Sequence, residues 1–219
     1  MILAIRNHKD RFQIANIYCI GRNYPAHAQE LGNELPTEPV VFIKSKSCLT
    51  QSRVFILPKT DSNVHYEGEL VVAIKYDCGR IDETLTEHVI LGYAVGIDYT
   101  ERTIQTYCKG KGLPWTMSKN FYGSAPISDI TLKKDTDLLM DRKIHLTVND
   151  KVCQEEYLNQ MTFSIPYLIS YLSHHFPLME GDLIFTGTPK GVAKIRGGDR
   201  IKCWIDGVGE VYSTIEQGQ

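Results

Sequence analysis

The sequence predicts an α+β fold that is mainly β and partly closed. Several short apolar or alternating segments are bounded by glycine, proline and asparagine, as strands commonly are. Few segments show helical spacing, and these are short. Strands and helices do not alternate regularly, which argues against a parallel sheet built from βαβ units. We expect one domain over residues 1–219, with a short N-terminal segment over about residues 1–15.

The first half of the chain contains the predicted central strands. Residues 6–24 predict one or two initial strands, and a short helix follows with Pro25 in its first turn and Gly32 at its C-terminal cap. VVFIK, residues 40–44, is the next predicted strand. Residues 64–75 read as a central strand, because both of its faces become apolar along its length.

The middle of the chain predicts one more apolar strand and two helical segments. Thr84 and Glu87 have the spacing of a capping box. ILGYAVGID is a largely apolar strand that ends at Asp98, and residues 99–110 predict a helix closed near Gly110. The segment KGLPWTMSKNF is expected to be a loop.

The last third is predicted to be mostly sheet. KIHLTVNDKVCQE alternates around Asn149 and Asp150, which predicts a hairpin. Residues 164–175 have helical spacing, with Ser164 as the cap. GDLIFTGTP and RIKCWIDGVGEVYSTI complete the domain as strands.

Composition excludes several classes of partner. The formal net charge is −2, so neither nucleic acid nor an anionic membrane is an expected partner. No apolar run approaches the roughly 20 residues that span a bilayer. The start, MILAIRNHKDRF, lacks the apolar segment of a secretion signal, so we expect a cytoplasmic protein. Without a C-x-x-C pair, the six cysteines are expected to be reduced and packed as small hydrophobic residues.

An acidic pair opens the predicted central strand. Glu67 and Glu69 are two residues apart, so they share one strand face and both reach one ion. Asp98 ends the other apolar strand. Three hard oxygen donors without cysteine or histidine at metal spacing favour Mg²⁺ or Mn²⁺. The alternative is that the glutamates lie at a frayed, solvated strand end.

Other polar residues could carry chemistry. His27 and Glu30 are neighbours on one helix face, where a carboxylate would orient the imidazole as a general base, although such pairs are also common on solvated faces. Lys119, Arg102 and Gln105 suit the carboxylate and developing oxyanion of an acidic substrate, although each alone would usually be a surface residue. TGTPKGV, which contains Thr188, could present backbone amides to an anion or be an ordinary strand exit.

Seven segments, in this order, resemble the fumarylacetoacetate hydrolase family, especially its single-domain acylpyruvase and oxaloacetate decarboxylase members. The similarity covers nearly the whole chain. The segments are IGRNYPAHAQE, PVVFIKSKS, YEGEL, GYAVGIDYTERTIQ, KGLPWTMSKNF, FSIPYLISYLS and GDLIFTGTPKGV.

The resemblance implies a mixed β-sandwich roll with a few short helices, usually a homodimer, holding one Mg²⁺ or Mn²⁺ per chain. Glu67, Glu69 and Asp98 match the family's metal ligands. His27 and Glu30 match a water-activating pair on a lid helix.

The remaining matches concern catalysis and substrate binding. Lys119 matches the family's active-site lysine. Arg22, Arg102, Gln105 and Thr188 fall at positions expected to bind substrate. Gly68 stands where a larger apolar residue is common, which would loosen the packing of that strand. Thr103 and the sequence KNFY also depart from the family's usual residues, which puts the identity of the substrate in question more than metal binding.

The activity that the resemblance implies is metal-dependent hydrolysis of the carbon-carbon bond of 2,4-dioxo acids, of acylpyruvate or fumarylpyruvate type, through a metal-bound pyruvate enolate. The alternatives on the same site are an oxaloacetate decarboxylase or tautomerase and a 2-hydroxyhepta-2,4-diene-1,7-dioate isomerase. A non-catalytic module that binds metal and a dicarboxylate is a further alternative. In each case the ligand is a small 2-oxo or 2,4-dioxo carboxylic acid.

Overall fold

The computed structural model describes residues 1–59 and 61–218. The helices are α1 (Pro25–Glu30), α2 (Arg102–Lys111), α3 (Thr116–Lys119) and α4 (Ile165–His175). The strands are β1 (Ile2–Ala4), β2 (Arg11–Gln13), β3 (Ile17–Gly21), β4 (Val40–Lys44), β5 (Leu49–Thr50), β6 (Val54–Ile56), β7 (Val64–His65), β8 (Gly68–Ile74), β9 (Ile90–Ile97), β10 (Thr100–Glu101), β11 (Ala125–Pro126), β12 (Thr131–Leu132), β13 (Lys143–Val148), β14 (Lys151–Tyr157), β15 (Leu183–Phe185), β16 (Arg200–Ile205) and β17 (Gly209–Glu216).

Two large sheets form the body of the fold. One has six strands in the order β12-β9-β8-β15-β3-β4, and the other has five in the order β14-β13-β16-β17-β6. The six-stranded sheet is mixed, because β15 pairs with β3 in parallel and with β8 antiparallel. The prediction of an α+β, mainly β architecture of the β-sandwich roll type is confirmed.

The six-stranded sheet is covered on both faces, which explains why its strands are apolar throughout. One face packs on the five-stranded sheet, so that Leu70 and Val72 share a core with Leu146 and Cys203. The other face, which includes Val71 and Ala73, lies in a second core. The central position predicted for residues 64–75 is therefore confirmed.

That segment is nevertheless two strands, not one. β7 ends at His65 and pairs with β10, whereas β8 begins at Gly68 and pairs with β9. Tyr66 and Glu67 lie between them, and the amide of Tyr66 donates to the carbonyl of Ala193. The chain thus changes partner immediately before the acidic pair.

Gly68 does not loosen the packing of β8. A side chain there would meet Cys203 Sγ at 2.8 Å and Leu146 at 3.2 Å, so these residues already fill the space. The expectation of a loosened strand at Gly68 was wrong.

Three element boundaries differ from the sequence prediction. The turn at Glu83–His88 is a 3₁₀ helix capped by Asp82, whose Oδ1 accepts from the Thr84 amide, so the predicted capping box is wrong. Helix α2 begins at Arg102 and not at residue 99, whereas its last residue, Lys111, lies next to the predicted end at Gly110 and is followed by the cap Gly112 with a φ of +67°. The predicted loop after it contains the single-turn helix α3.

The remaining local predictions hold. Pro25 is the first residue of α1, and Gly32 follows the helix with a φ of +64°. The turn between β13 and β14 has positive φ at both Asn149 and Asp150, as a tight hairpin requires. Ser164 caps α4 by accepting from the Tyr167 amide. All six cysteines are unpaired.

None of the helices in the described part of the chain has the length and hydrophobicity needed to cross a bilayer. The single domain with an N-terminal segment of about 15 residues stays a prediction.

Candidate active site

Three carboxylates meet where β8 begins and β9 ends. The antiparallel register places Gly68 opposite Ile97, and the amide of Asp98 donates to the carbonyl of Glu67 at 2.8 Å. This register explains how Asp98 joins two glutamates about 30 residues earlier in the chain. Oxygen atoms of Glu67, Glu69 and Asp98 lie within 4.8 Å of one another, and all three residues are buried. The alternative of a solvated strand end is therefore wrong.

Side-chain cations surround two of these carboxylates. Lys119 Nζ donates to Glu67 Oε2 at 2.8 Å, to Asp98 Oδ2 at 2.5 Å and to Thr100 Oγ1 at 2.6 Å. Arg102 Nη2 lies 2.5 Å from Glu67 Oε1. Lysine and arginine thus supply part of the positive charge that a buried acidic cluster requires.

Lys44 is a third cation at the cluster and was not predicted as a site residue. Its Nζ lies 2.7 Å from Asp98 Oδ1, and both side chains are fully buried. Lys44 closes strand β4, inside the segment PVVFIKSKS. A lysine that ends an otherwise apolar strand was the available signal, because a buried ammonium needs a partner.

The two glutamates have opposite electrostatic environments. Burial alone would raise the pKa of Glu67, but Lys119 and Arg102 outweigh it and hold that pKa well below its usual range. Burial, together with Asp98 and Glu67, raises the pKa of Glu69 well above its usual range. Glu69 Oε2 accepts a hydrogen bond from the Gly187 amide at 2.8 Å. Glu69 is therefore the ligand whose charge a bound cation would stabilise most.

The donor set fits a hard divalent cation. An ion about 2.1 Å from each oxygen holds its ligands roughly 3 to 4.2 Å apart, so a cluster within 4.8 Å needs only small side-chain rotations. All donors are carboxylate oxygens, the type that Mg²⁺ and Mn²⁺ prefer. Glu67, Glu69 and Asp98 could therefore hold such an ion.

The His27 and Glu30 pair lies beside the cluster. His27 is 5% exposed and belongs to the same cavity wall as Glu67 and Glu69. Its Nδ1 lies 3.4 Å from Glu30 Oε2, at the long end of hydrogen-bond range. Burial lowers the pKa of His27, although Glu67 and Glu30 act to raise it. The imidazole is therefore neutral at neutral pH, as a general base must be.

Glu30 also connects helix α1 to the glycine-rich turn after β15. Both of its carboxylate oxygens accept from the Gly191 amide, at 3.0 and 3.1 Å. Gly191 has a φ of +102°, and a side chain there would overlap the Cys153 carbonyl. Only glycine fits this position, and it fixes the carboxylate that faces His27.

Thr188 and Gln105 are held so that each keeps a free donor. Thr188 Oγ1 accepts from Gln154 Nε2 at 2.8 Å, which leaves the threonine proton available to a ligand. Gln105 Oε1 accepts from Arg102 Nη1 at 2.6 Å, which leaves the amide NH₂ available. Gln154 was not predicted as a site residue, because nothing in its hairpin distinguishes it from other strand residues.

Arg22 lies in a strained turn that forms part of the cavity wall. Its φ is +59°, a conformation that few residues other than glycine adopt. The next residue holds the turn, because the Asn23 side chain donates to Thr186 and Phe163 carbonyls and accepts from the Phe163 amide. Such strain persists where the surroundings enforce it, and it is common at binding sites.

One cavity is lined by most of the residues that the sequence singled out. Of these, Asp98 and Glu30 are not among the wall residues. The cavity has a volume of about 30 Å³. That is room for about two water molecules. Its walls are Ile20, Gly21, Arg22, His27, Leu31, Asn33, Phe42, Glu67, Glu69, Arg102, Gln105, Lys109, Trp115, Lys119 and Thr188.

Comparison with known proteins decides the family. Residues 16–216 match the fumarylacetoacetate (FAA) hydrolase C-terminal family. The chain belongs to the fumarylacetoacetate hydrolase family. The resemblance inferred from seven sequence segments is thereby confirmed.

Relatives within the fumarylacetoacetate hydrolase family carry more than one activity. Oxaloacetate tautomerase FAHD1, mitochondrial, from Bos taurus is 39% identical over 203 residues, which cover 92% of each chain. The structure of fumarylpyruvate hydrolase from Pseudomonas aeruginosa in complex with Mn²⁺ and pyruvate is 34% identical, with a TM-score of 0.95 and coverage of 99% and 96%. The structure of 5-carboxymethyl-2-hydroxymuconate delta-isomerase from Mycobacterium smegmatis is 28% identical, with a TM-score of 0.82 and coverage of 95% and 81%.

Proposed function

We propose that this protein is a metal-dependent hydrolase that cleaves the carbon-carbon bond of 2,4-dioxo acids. The observation that carries the proposal is the neutral, buried His27 beside three clustered carboxylates, with Glu30 held against it by Gly191. A water-activating base and a cation site on one cavity are the two parts that this hydrolysis needs. The 34% identity to a fumarylpyruvate hydrolase supports the reaction type.

Glu67, Glu69 and Asp98 would hold the divalent cation, with Mg²⁺ and Mn²⁺ as candidates. When bound, the cation supplies Lewis-acid stabilisation of negative charge that develops on the substrate's 2-oxo oxygen. The Mn²⁺ in the Pseudomonas aeruginosa structure supports this assignment.

The side chains of the cavity orient the substrate. The free amide NH₂ of Gln105 and the free hydroxyl proton of Thr188 donate to its 1-carboxylate. The ammonium of Lys119 opposes negative charge that develops during the reaction. These three groups act on the end of the molecule that becomes pyruvate.

His27 performs the proton transfers. Because its Nδ1 faces Glu30, Nε2 is the nitrogen that takes a proton from water. The water oxygen bonds to C4, the C3–C4 bond breaks, and its electron pair forms the pyruvate enolate. Return of the proton to C3 completes pyruvate, and the acyl group leaves as a carboxylic acid. One dioxo acid and one water thus give two acids.

Helix α1 acts as a lid in this scheme. His27, Leu31 and Asn33, from α1 and the residues after it, form one side of the small cavity. In this proposal α1 moves away to admit substrate, and its return excludes bulk water from the reacting carbons. Pro25 and Gly32 bound the segment that would move.

Tautomerisation of oxaloacetate is the second candidate. The 39% identity to oxaloacetate tautomerase, over 92% of each chain, favours it specifically. The same base would move a proton between C3 and the 2-oxo oxygen, with no attacking water. Isomerisation, the other alternative, has its support in a lower identity of 28%. Four other expectations stay predictions. They are a homodimer, a cytoplasmic location, the use of Mg²⁺ or Mn²⁺, and the absence of nucleic acid partners.

Parallel assays rank these functions. Purified protein is given acetylpyruvate, fumarylpyruvate or the enol of oxaloacetate, with Mn²⁺, with Mg²⁺ or with a chelator. We expect cation-dependent hydrolysis of the first two substrates. His27→Ala should reduce hydrolysis at least ~100-fold while Mn²⁺ and oxalate still bind.

His174→Ala provides the control, because His174 is exposed on α4. This variant should leave the rate unchanged. Hydrolysis that persists in His27→Ala contradicts the proposal. If only oxaloacetate turns over, the second candidate replaces the first. Binding without turnover of any substrate would indicate a non-catalytic module.

A further inference from the structure

Two cations in the cavity have no acidic partner in the described part of the chain. Lys119 and Arg102 are paired with Glu67, but no carboxylate of the described residues forms an ion pair with Arg22 or Lys109. Arg22 Nε is buried and has no hydrogen-bond partner among those residues. A cavity that directs unpaired cations inward is built to receive an anion.

Lys109 lies on the face of α2 that forms the cavity wall. Arg102, Gln105 and Lys109 are spaced i, i+3 and i+7, so all three project from one side of the helix. Lys109 is about 6 Å further along the helix axis than Gln105. That separation is of the same order as the distance between the two carboxylates of a four- to seven-carbon diacid, the range from oxaloacetate to fumarylpyruvate.

The Lys109 ammonium is held in place by an aromatic ring. Its Nζ lies 5.0 Å from the centroid of the Trp115 ring, and Trp115 packs on Phe42 with ring centroids 5.8 Å apart. A cation over an indole face is fixed without losing its charge. The ammonium is therefore positioned before any ligand arrives.

The surroundings of Lys109 are unfavourable to its charge. Burial, followed by the positive charges of Arg22 and Arg102, lowers the pKa of Lys109 to about 8. A carboxylate delivered by a ligand would offset both causes. The lowered pKa agrees with two geometric observations: Lys109 lies in the cavity wall, and no carboxylate of the described residues pairs with it.

We infer that Lys109 and Arg22 form a subsite for the second carboxylate of a dicarboxylic substrate. The inference rests on the proposed function, since the first carboxylate is the one placed at Gln105 and Thr188. It narrows the substrate class to 2-oxo diacids, such as fumarylpyruvate and oxaloacetate, in preference to neutral acylpyruvates such as acetylpyruvate. Lys109 is then a residue that determines specificity and takes no part in proton transfer.

The test compares two ligands of equal length that differ at the far end. 2-Oxoglutarate ends in a carboxylate and 2-oxopentanoate ends in a methyl group. Calorimetry on the Mn²⁺-loaded protein should show 2-oxoglutarate binding at least ~10-fold more tightly. Lys109→Met removes the charge but keeps an unbranched side chain of similar length, so it should abolish this preference and leave the binding of 2-oxopentanoate unchanged.

Two further variants complete the design. Lys109→Arg should retain the preference, and Lys111→Met, an exposed lysine on the same helix, should match the wild type. The turnover ratio of fumarylpyruvate to acetylpyruvate should follow the same pattern. Equal binding of the two ligands by wild type, or a preference that survives in Lys109→Met, overturns the inference. A preserved charge preference without any turnover would overturn the proposed function alone.

Discussion

Lys44 Nζ lies 2.7 Å from Asp98 Oδ1, and both side chains are fully buried. The same ammonium donates to the carbonyl oxygens of Lys119 and Tyr99. Lys44 therefore ties the end of β4 to the end of β9 and to helix α3. This leaves the second Asp98 oxygen directed at the carboxylate cluster, where Lys119 contacts it.

Replacement of Lys44 by Met should destabilise the fold strongly. The buried Asp98 would lose one of its two lysine partners, and breaking such a pair costs about 3 to 5 kcal/mol. Chemical denaturation of Lys44→Met measures the loss. Lys46→Met is the matched control, because Lys46 is exposed, and should change stability by less than about 0.5 kcal/mol. Equal stability of both variants would show that the buried pair is not needed.

The pH dependence of activity should reflect the buried His27. Its pKa is lowered by burial, so the base stays neutral, and hydrolysis stays active, at pH values below the usual histidine range. Activity is then lost as pH falls through the lowered pKa. Glu30 raises that pKa, so Glu30→Gln should move the acidic limb of kcat/KM to still lower pH and reduce the plateau. An acidic limb that moves upward in Glu30→Gln would contradict the assignment.

Lys119 should compete with a divalent cation for the carboxylates. Its ammonium lies between Glu67 and Asp98, within 2.8 Å of each, so it repels a second positive charge. Lys119→Met should bind Mn²⁺ about tenfold more tightly by calorimetry and yet turn over at least ~100-fold more slowly, because charge stabilisation is lost. Weaker Mn²⁺ binding by this variant would mean that the lysine assists the ion.

The turn after β15 should tolerate no side chain at Gly187. Its amide donates to Glu69, its φ is +99°, and a Cβ there would lie 2.8 Å from Asn23 Cβ. Gly187→Ala should therefore combine backbone strain of about 1 to 3 kcal/mol with a steric clash. Gly198→Ala separates the two effects, because Gly198 has a φ of +92° and open space around it. Thermal unfolding should show a larger loss of stability for Gly187→Ala than for Gly198→Ala. Equal losses would show that the steric clash at Gly187 contributes nothing.

Local chemistry in the sequence was sufficient for much of the site. Glu67 and Glu69 stand two residues apart at the start of an apolar strand, and Asp98 ends the other apolar strand. The two strands follow each other in the chain and pair antiparallel, so the end of the second lies beside the start of the first. That the three carboxylates come together could therefore be expected. His27 and Glu30 belong to one helix turn, and their proximity follows from helix geometry alone.

Other residues depend on contacts that no local pattern encodes. Lys44 reaches Asp98 across 54 residues, and Gln154 reaches Thr188 across 34. Their roles follow from the order of strands in the sheets and from the packing of one sheet on the other. The start of α2 was misplaced for the same reason. Thr100 and Glu101 pair with β7, and Glu101 then caps the helix by accepting from the Ile104 amide.

Calorimetric titration of Mn²⁺ into wild type and Glu69→Gln tests the central claim most directly. Of the three carboxylates, Glu69 has the charge that the protein's own cations stabilise least. We therefore expect its negative charge to contribute most to the affinity for a bound ion. We predict one Mn²⁺ per chain in wild type and at least ~100-fold weaker binding in Glu69→Gln, with the fold preserved by circular dichroism. Absence of Mn²⁺ uptake by wild type, or equal affinity in the two proteins, would contradict the account.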